Sequence, residues 1–178
     1  MSQYKVYRLF KNNDQYHISM VNNLLEKNRW YKSDKFILVS YSFEGKSKKI
    51  IEKIDNELST NIFSNSFYYK AIDYLCKNNI TIQRVLLENE DDIGDFQQSI
   101  DIMTRKLLVG NKSGEELNEL ISELKWLSQE EDIDINSIDF RIEFSGLHNF
   151  VKIEKMGHIY VDQNDNAADV LKLLSECI

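Results

Sequence analysis

Proline is absent from all 178 residues, and glycine (6), histidine (3) and cysteine (2) are scarce. Each scarcity removes a class of function. Glycines scattered singly cannot build a phosphate-cradling loop or a dinucleotide fingerprint, which need them clustered. Cys76 and Cys177 stand far apart, so neither a disulfide framework nor a zinc constellation is expected. Both thiols read as structural groups in a reducing compartment. Without a nucleophile elbow or a metal-ligand spacing, we expect no metal and no cofactor. No run of about 18 apolar residues occurs, so no transmembrane helix is expected. The opening MSQYKVYRLF lacks the apolar core of a signal peptide, and a cytoplasmic location is the expectation.

What is present is a globular composition. Hydrophobic residues make up 42% and charged residues 29%, with 29 acids against 22 Lys and Arg and a net charge of −7. That balance disfavours nucleic acid and anionic membranes as partners. Abundant Lys, Asn and Ile with no proline match an AT-rich coding sequence, as in a bacterium, phage or mobile element.

The stretch from Ser66 to Asn89 organises the rest. Tyr68, Ala71, Ile72 and Leu75 fall on one helical face, Lys77-Asn78-Asn79 stops the helix, and Ile80 to Leu87 reads as a strand. Before it, Tyr4 to Phe10 is a short strand. Asp14 caps a helix carrying Ile18, Val21, Leu24 and Leu25. Trp30 and Tyr31 read as the edge of the core. Phe36 to Phe43 is the strongest strand, apolar on both faces at its start as a central strand requires. Ile50, Ile51, Ile54 and Leu58 mark a further helix.

After it, Ile93, Phe96, Ile100, Met103 and Leu107 form one helical stripe. Leu117, Leu120, Ile121, Leu124 and Leu127 form another beyond the Gly110–Gly114 turn, giving an αα-hairpin at about 93–128. Ile138 to Phe144 alternates as a half-exposed strand. Phe150 to Lys155 and His158 to Asp162 are two more, joined at Met156-Gly157. Asn164 or Asp165 caps a last helix. The order predicts a single α/β (or α+β) domain over 1–178. It has a mixed β-sheet with helices on both faces and a C-terminal antiparallel strand group.

Chemical signals are few. Tyr16-His17-Ile18-Ser19-Met20 has the apolar–His–apolar–Ser–apolar form of the two-histidine phosphoesterases. His158 in Gly157-His158-Ile159-Tyr160-Val161 is the candidate second motif, with Tyr in place of Ser or Thr. In that family one histidine is base and the other acid. Lys77 to Leu86, KNNITIQRVL, with the strands around it, resembles the phospholipase D-like fold. That resemblance implies a His nucleophile, a Lys anion clamp two residues on and a downstream Asp. Here His148 is followed by Lys152 four residues on, and Asp162 is off the family spacing. The resemblance therefore implies a degenerate site that binds or senses. Phe36 to Lys46 resembles the opening of TIR-like domains at the level of fold alone.

Asp132, Asp134, Asn136 and Glu143 meet some calcium-loop positions, but Ser137 replaces the turn glycine and a strand follows. The acidic loop Glu88, Glu90, Asp91, Asp92, Asp95 reads as solvated and as favouring the next helix's N-terminus. Arg29, Trp30, Tyr31, Lys32 and Lys35 form the closest approach to a basic–aromatic nucleic-acid surface.

The expectation is a non-enzymatic binding or regulatory domain acting through a protein partner or self-association. Trp126 on the hairpin, with Trp30 and Tyr31, supplies the candidate binding residues. The alternative is a divergent phosphodiesterase or nuclease-like enzyme using His148 and Lys152, or His17 and His158.

Overall fold

The computed structural model describes residues 2–9, 14–25, 30–33, 35–41, 46–88, 93–109, 114–144, 146–162 and 167–177. Several expectations lie outside these residues. They are the end of the central strand with its turn over 42–45, Arg29, the Glu90–Asp92 part of the acidic loop, the turn over 110–113, the capping side chain of Asp14 and the cap at Asn164 or Asp165. The chain forms two compact units, Met1–Ile62 with Met156–Ser175, and Phe63–Lys155 with Glu176–Ile178.

In the first unit, β1 (Ser2–Arg8), α1 (Asp14–Leu24), β2 (Trp30–Lys32), β3 (Phe36–Tyr41), α2 (Lys46–Glu57) and β7 (His158–Val161) occur in that order. The strands lie side by side as β2-β3-β1-β7. Phe36, Ile37, Leu38 and Val39 are all buried, as expected of a central strand. Tyr7, Ile37 and Val39 on one face meet Val21 and Leu25 from the α1 region and Ile54 and Leu58 from the α2 region. Tyr7 donates its hydroxyl to Asp55 Oδ1 at 2.7 Å, and Lys5 pairs with the same oxygen at 2.7 Å.

β2 gives a physical reason for one departure from the sequence reading. Trp30 and Tyr31, expected at the core edge, form with Lys32 a strand that pairs antiparallel with β3, and β3 pairs antiparallel with β1. The hairpin thus inserts β3 between β1 and β2, so the βα crossover never creates a neighbouring parallel pair. Every pairing among the described residues is antiparallel, where a mixed sheet was expected.

In the second unit, α3 (Asn65–Lys77), β4 (Thr81–Leu87), α4 (Gly94–Val109), α5 (Gly114–Glu130), β5 (Ile135–Phe144) and β6 (Leu147–Glu154) follow one another. The strands order as β6-β5-β4. Ser64 caps α3 through Phe67 N–H at 3.3 Å. At its other end Asn79 is left-handed (φ 59), the Ile80 N–H bonds Leu75 O, and the Asn79 N–H bonds Cys76 O. This is the Schellman closure that Lys77-Asn78-Asn79 announced. Tyr68, Ala71, Ile72 and Leu75 are buried as the helical period required. α3 contacts β4, β5 and α5, while α4 contacts β4 and α5, so the expected hairpin is built into this unit. α6 (Ala167–Cys177) closes the described chain. No helix among the described residues is long and apolar enough to cross a membrane.

Candidate functional site

Two surfaces of the second unit carry the candidate residues. The first is the outer side of the α4–α5 hairpin. Leu120, Leu124 and Leu127 bury one stripe of α5. Trp126 lies about 100° round the helix from Leu127, which turns it off that stripe. It is 42% exposed and meets Phe96 of α4 edge-on, with ring centroids 6.1 Å apart. Ile100 of α4 is buried, and Ile102, about 200° round from it, is 49% exposed. Lys106 and Glu119 face each other across the seam at 4.0 Å. α5 adds Glu115, Glu116, Glu119, Glu123 and Glu130 against a single Lys125, so Trp126 sits on an acidic helix, while Ile102 has Arg105 and Lys106 one turn on along α4.

The second surface is an open groove of about 690 Å³. The end of α3 supplies Tyr74, Asn78 and Asn79 as one wall, and the start of β4 supplies Thr81 and Gln83. Arg141 and Glu143 come from β5 and His148 from β6. Strand register explains the grouping. Glu143 lies opposite His148, and Arg141 lies opposite Phe150 on one side and Thr81 on the other. Facing residues of an antiparallel pair point to the same side of the sheet.

Further along that face the charges are held. Lys152 pairs with Glu154 at 2.8 Å, and Asp139 lies opposite Lys152 in register. Burial raises the Asp139 carboxyl above its ordinary value, against the lowering influence of Lys152 and Arg84. A separate network closes the unit where α3 starts and α5 ends. Asp134 accepts from Asn65 at 2.5 Å and Ser128 at 3.3 Å and pairs with Lys155 at 2.6 Å; Lys155 also reaches Glu88 at 3.0 Å. These residues are committed to structure. Burial likewise pushes the Cys177 thiol up to about 11, which keeps it protonated and unreactive at neutral pH.

The remaining candidates fall elsewhere. His17 on α1 is 8% exposed, with its Nδ1 lacking a hydrogen-bond partner among the described residues. His158 on β7 lies opposite Lys5. His148 and Lys152 share a face of β6, about 13 Å apart along the strand at roughly 3.3 Å per residue. Trp30 and Tyr31 are half-buried on β2, and Trp30 packs against the core of the first unit with its Nε1 buried and unpartnered among the described residues. Among the described residues, no three His, Cys, Asp or Glu side chains cluster as metal ligands would.

Comparison with known proteins gives no match: no family model, no curated protein and no solved structure is similar to this chain.

Sequence reading found Trp126 and His148 but missed Ile102 and the groove around His148. A signal for the groove existed. Gly146 marks a tight turn, and counting outward from it fixes the β5–β6 register and places Glu143 opposite His148. Weighing His148 against Lys152 alone concealed Glu143 and Arg141. Tyr74, Asn78 and Asn79 had no such signal, because only the packing of α3 brings them there.

Proposed function

We propose that this chain is a non-enzymatic cytoplasmic binding module that acts through a protein partner, by way of the outer α4–α5 surface. Exposure of Trp126, backed edge-on by Phe96, carries this reading, with the separately exposed Ile102 on the outer side of α4. Aromatic side chains that are half-exposed and rigidly backed are the residue type that dominates interface energetics, and Phe96 provides the backing. The buried leucine stripes make the hairpin a rigid platform that belongs to its own unit, which narrows the interface to its outward side chains. The glutamates of α5 favour a partner that brings Lys or Arg to the rim of the niche receiving Trp126. A second copy of this chain, itself acidic, is a poorer complement.

The divergent phosphodiesterase or nuclease-like reading draws less support. A phosphate clamp needs its groups within hydrogen-bonding reach of one position. The spacing of His148 and Lys152 and the burial of His17 work against that.

The test uses the full tagged chain recovered from its native cell, beside Trp126→Ala and Ile102→Ser. Ile102→Ser changes an exposed position and leaves Phe96 covered, so it separates loss of binding from loss of folding. A stoichiometric protein should co-purify with the parent chain, weaken with rising salt, and drop at least about tenfold in both variants. Retention of that partner by both folded variants would overturn the assignment.

A further inference from the structure

The groove at the end of α3 holds polar side chains that the fold leaves unused. Arg141, Glu143 and His148 are all exposed, and no side-chain hydrogen bond or ion pair ties any of them to another described residue. Two rows along the same sheet face, Lys152 and Glu154 are locked together at 2.8 Å. One face thus has a closed end and an open end, and the open end coincides with a concavity of about 690 Å³. That size lies within the range of small-molecule sites.

The order of the charges limits what fits. Arg141 and Glu143 are two residues apart on β5, roughly 7 Å along the strand, and Glu143 stands directly opposite His148. A bare oxyanion on Arg141 would meet the Glu143 carboxylate beside it. A simple cation on Glu143 would meet the Arg141 guanidinium. Carbonyls at the end of α3 are already bonded within the Schellman closure, including Leu75 and Cys76, so that wall offers little to a cation. A ligand that carries both groups satisfies all three side chains.

We propose that this groove binds a small amphoteric ligand. Its oxyanion engages the Arg141 fork, and an N–H donor group roughly 7 Å away engages Glu143 and the His148 imidazole opposite it. Thr81, opposite Arg141, and Gln83 add a hydroxyl and an amide to the Arg141 end of the groove. Two sources supply this chemistry, the termini of a short peptide and the phosphate with base edge of a mononucleotide. The open, polar form of the groove makes the affinity modest. This site is independent of the hairpin surface, so loss of one leaves the other standing.

The test is a titration of the isotope-labelled full chain, followed by NMR, with diglycine, with guanosine monophosphate and with inorganic phosphate. One of the two amphoteric probes should shift Gln83, Arg141, Glu143 and His148 saturably, with a dissociation constant below about 1 mM. Arg141→Ala and Glu143→Gln, both at exposed positions, should each weaken it at least about tenfold while the far-ultraviolet circular dichroism stays unchanged. Which probe binds identifies the source. No saturable shift from either probe would overturn the site. So would binding that survives both substitutions, or phosphate binding as tightly as the amphoteric probes, since Glu143 would then have no role.

Discussion

A methyl group added at Gly157 would run into the carbonyl oxygen of Asn61 and press on Thr60 Cγ2. The same residue sits at φ +78, and its carbonyl accepts from Val6 N–H at 2.9 Å, which anchors the start of β7 beside β1. Gly146 has nearly the same backbone angle, φ +79, with nothing within 4 Å of an added Cβ. The pair separates two costs that are usually confounded. Gly146→Ala should cost only the left-handed backbone penalty, about 1 kcal/mol. Gly157→Ala should add the collision with backbone that cannot yield freely, for roughly 2–4 kcal/mol in total. Chemical denaturation of both variants checks this, and equal losses would show that the Asn61 contact is relieved at no cost. At this scale the sequence was informative. Met156-Gly157 and Asn78-Asn79 were legible as turns because glycine and asparagine are among the few residues that adopt positive φ at small cost.

Elements were legible where period and length agreed, and opaque where tertiary pairing decided. α3 with β4 and the α4–α5 hairpin follow from apolar spacing alone. β2 does not, since three residues cannot display a period of two. Nor does the manner in which β4 ends its sheet. Its outer edge is met by Gln97 of α4, which accepts from Leu87 N–H at 2.9 Å and donates to Val85 O at 2.9 Å. One side-chain amide thereby takes the place of a neighbouring strand. Sequence reading counted the apolar residues on either side of Gln97 and passed over it, because an amide pattern of this kind has no periodicity. Exposed edges invite pairing with other chains, and a covering helix is a common protection. Gln97 is 4% exposed, so its removal orphans two backbone groups away from water. Gln97→Ala should cost about 2–4 kcal/mol. Hydrogen exchange at Leu87 should accelerate more than at Phe140 in the interior strand β5. A variant with unchanged Leu87 protection would mean that the latch carries no weight.

At the scale of the whole molecule, the acidic excess and the engaged carboxylates set opposing responses to pH. The hydrogen bond from Lys155, with those from Asn65 and Ser128, outweighs burial and holds the Asp134 carboxyl below its usual value of 3.8. Its stabilising contribution is therefore complete above the unfolded value, about 3.9, and is lost as pH falls through the lower folded value. Burial lowers the Lys155 ammonium, but bonds to Asp134 and Glu88 outweigh this and raise it above 10.5. Its contribution is complete below the unfolded value and lost only as pH rises through the higher folded one. Both halves of the network thus hold across neutral pH. Asp139 runs the other way. Burial raises its folded value above 3.8, so protonation removes a cost, and stability gains as pH falls through that raised value. Partial neutralisation of the −7 charge adds to the gain by reducing self-repulsion. The denaturation midpoint should therefore rise gently from pH 7 toward a maximum just above about pH 4, then fall. Asp139→Asn should remove part of the rise and leave the fall. Asp134→Asn should lower the plateau and make the fall shallower, meeting the parent curve at the acid end. If both variants kept the parent profile, the two carboxylates would not control the acid limb, and general charge repulsion would have to account for it.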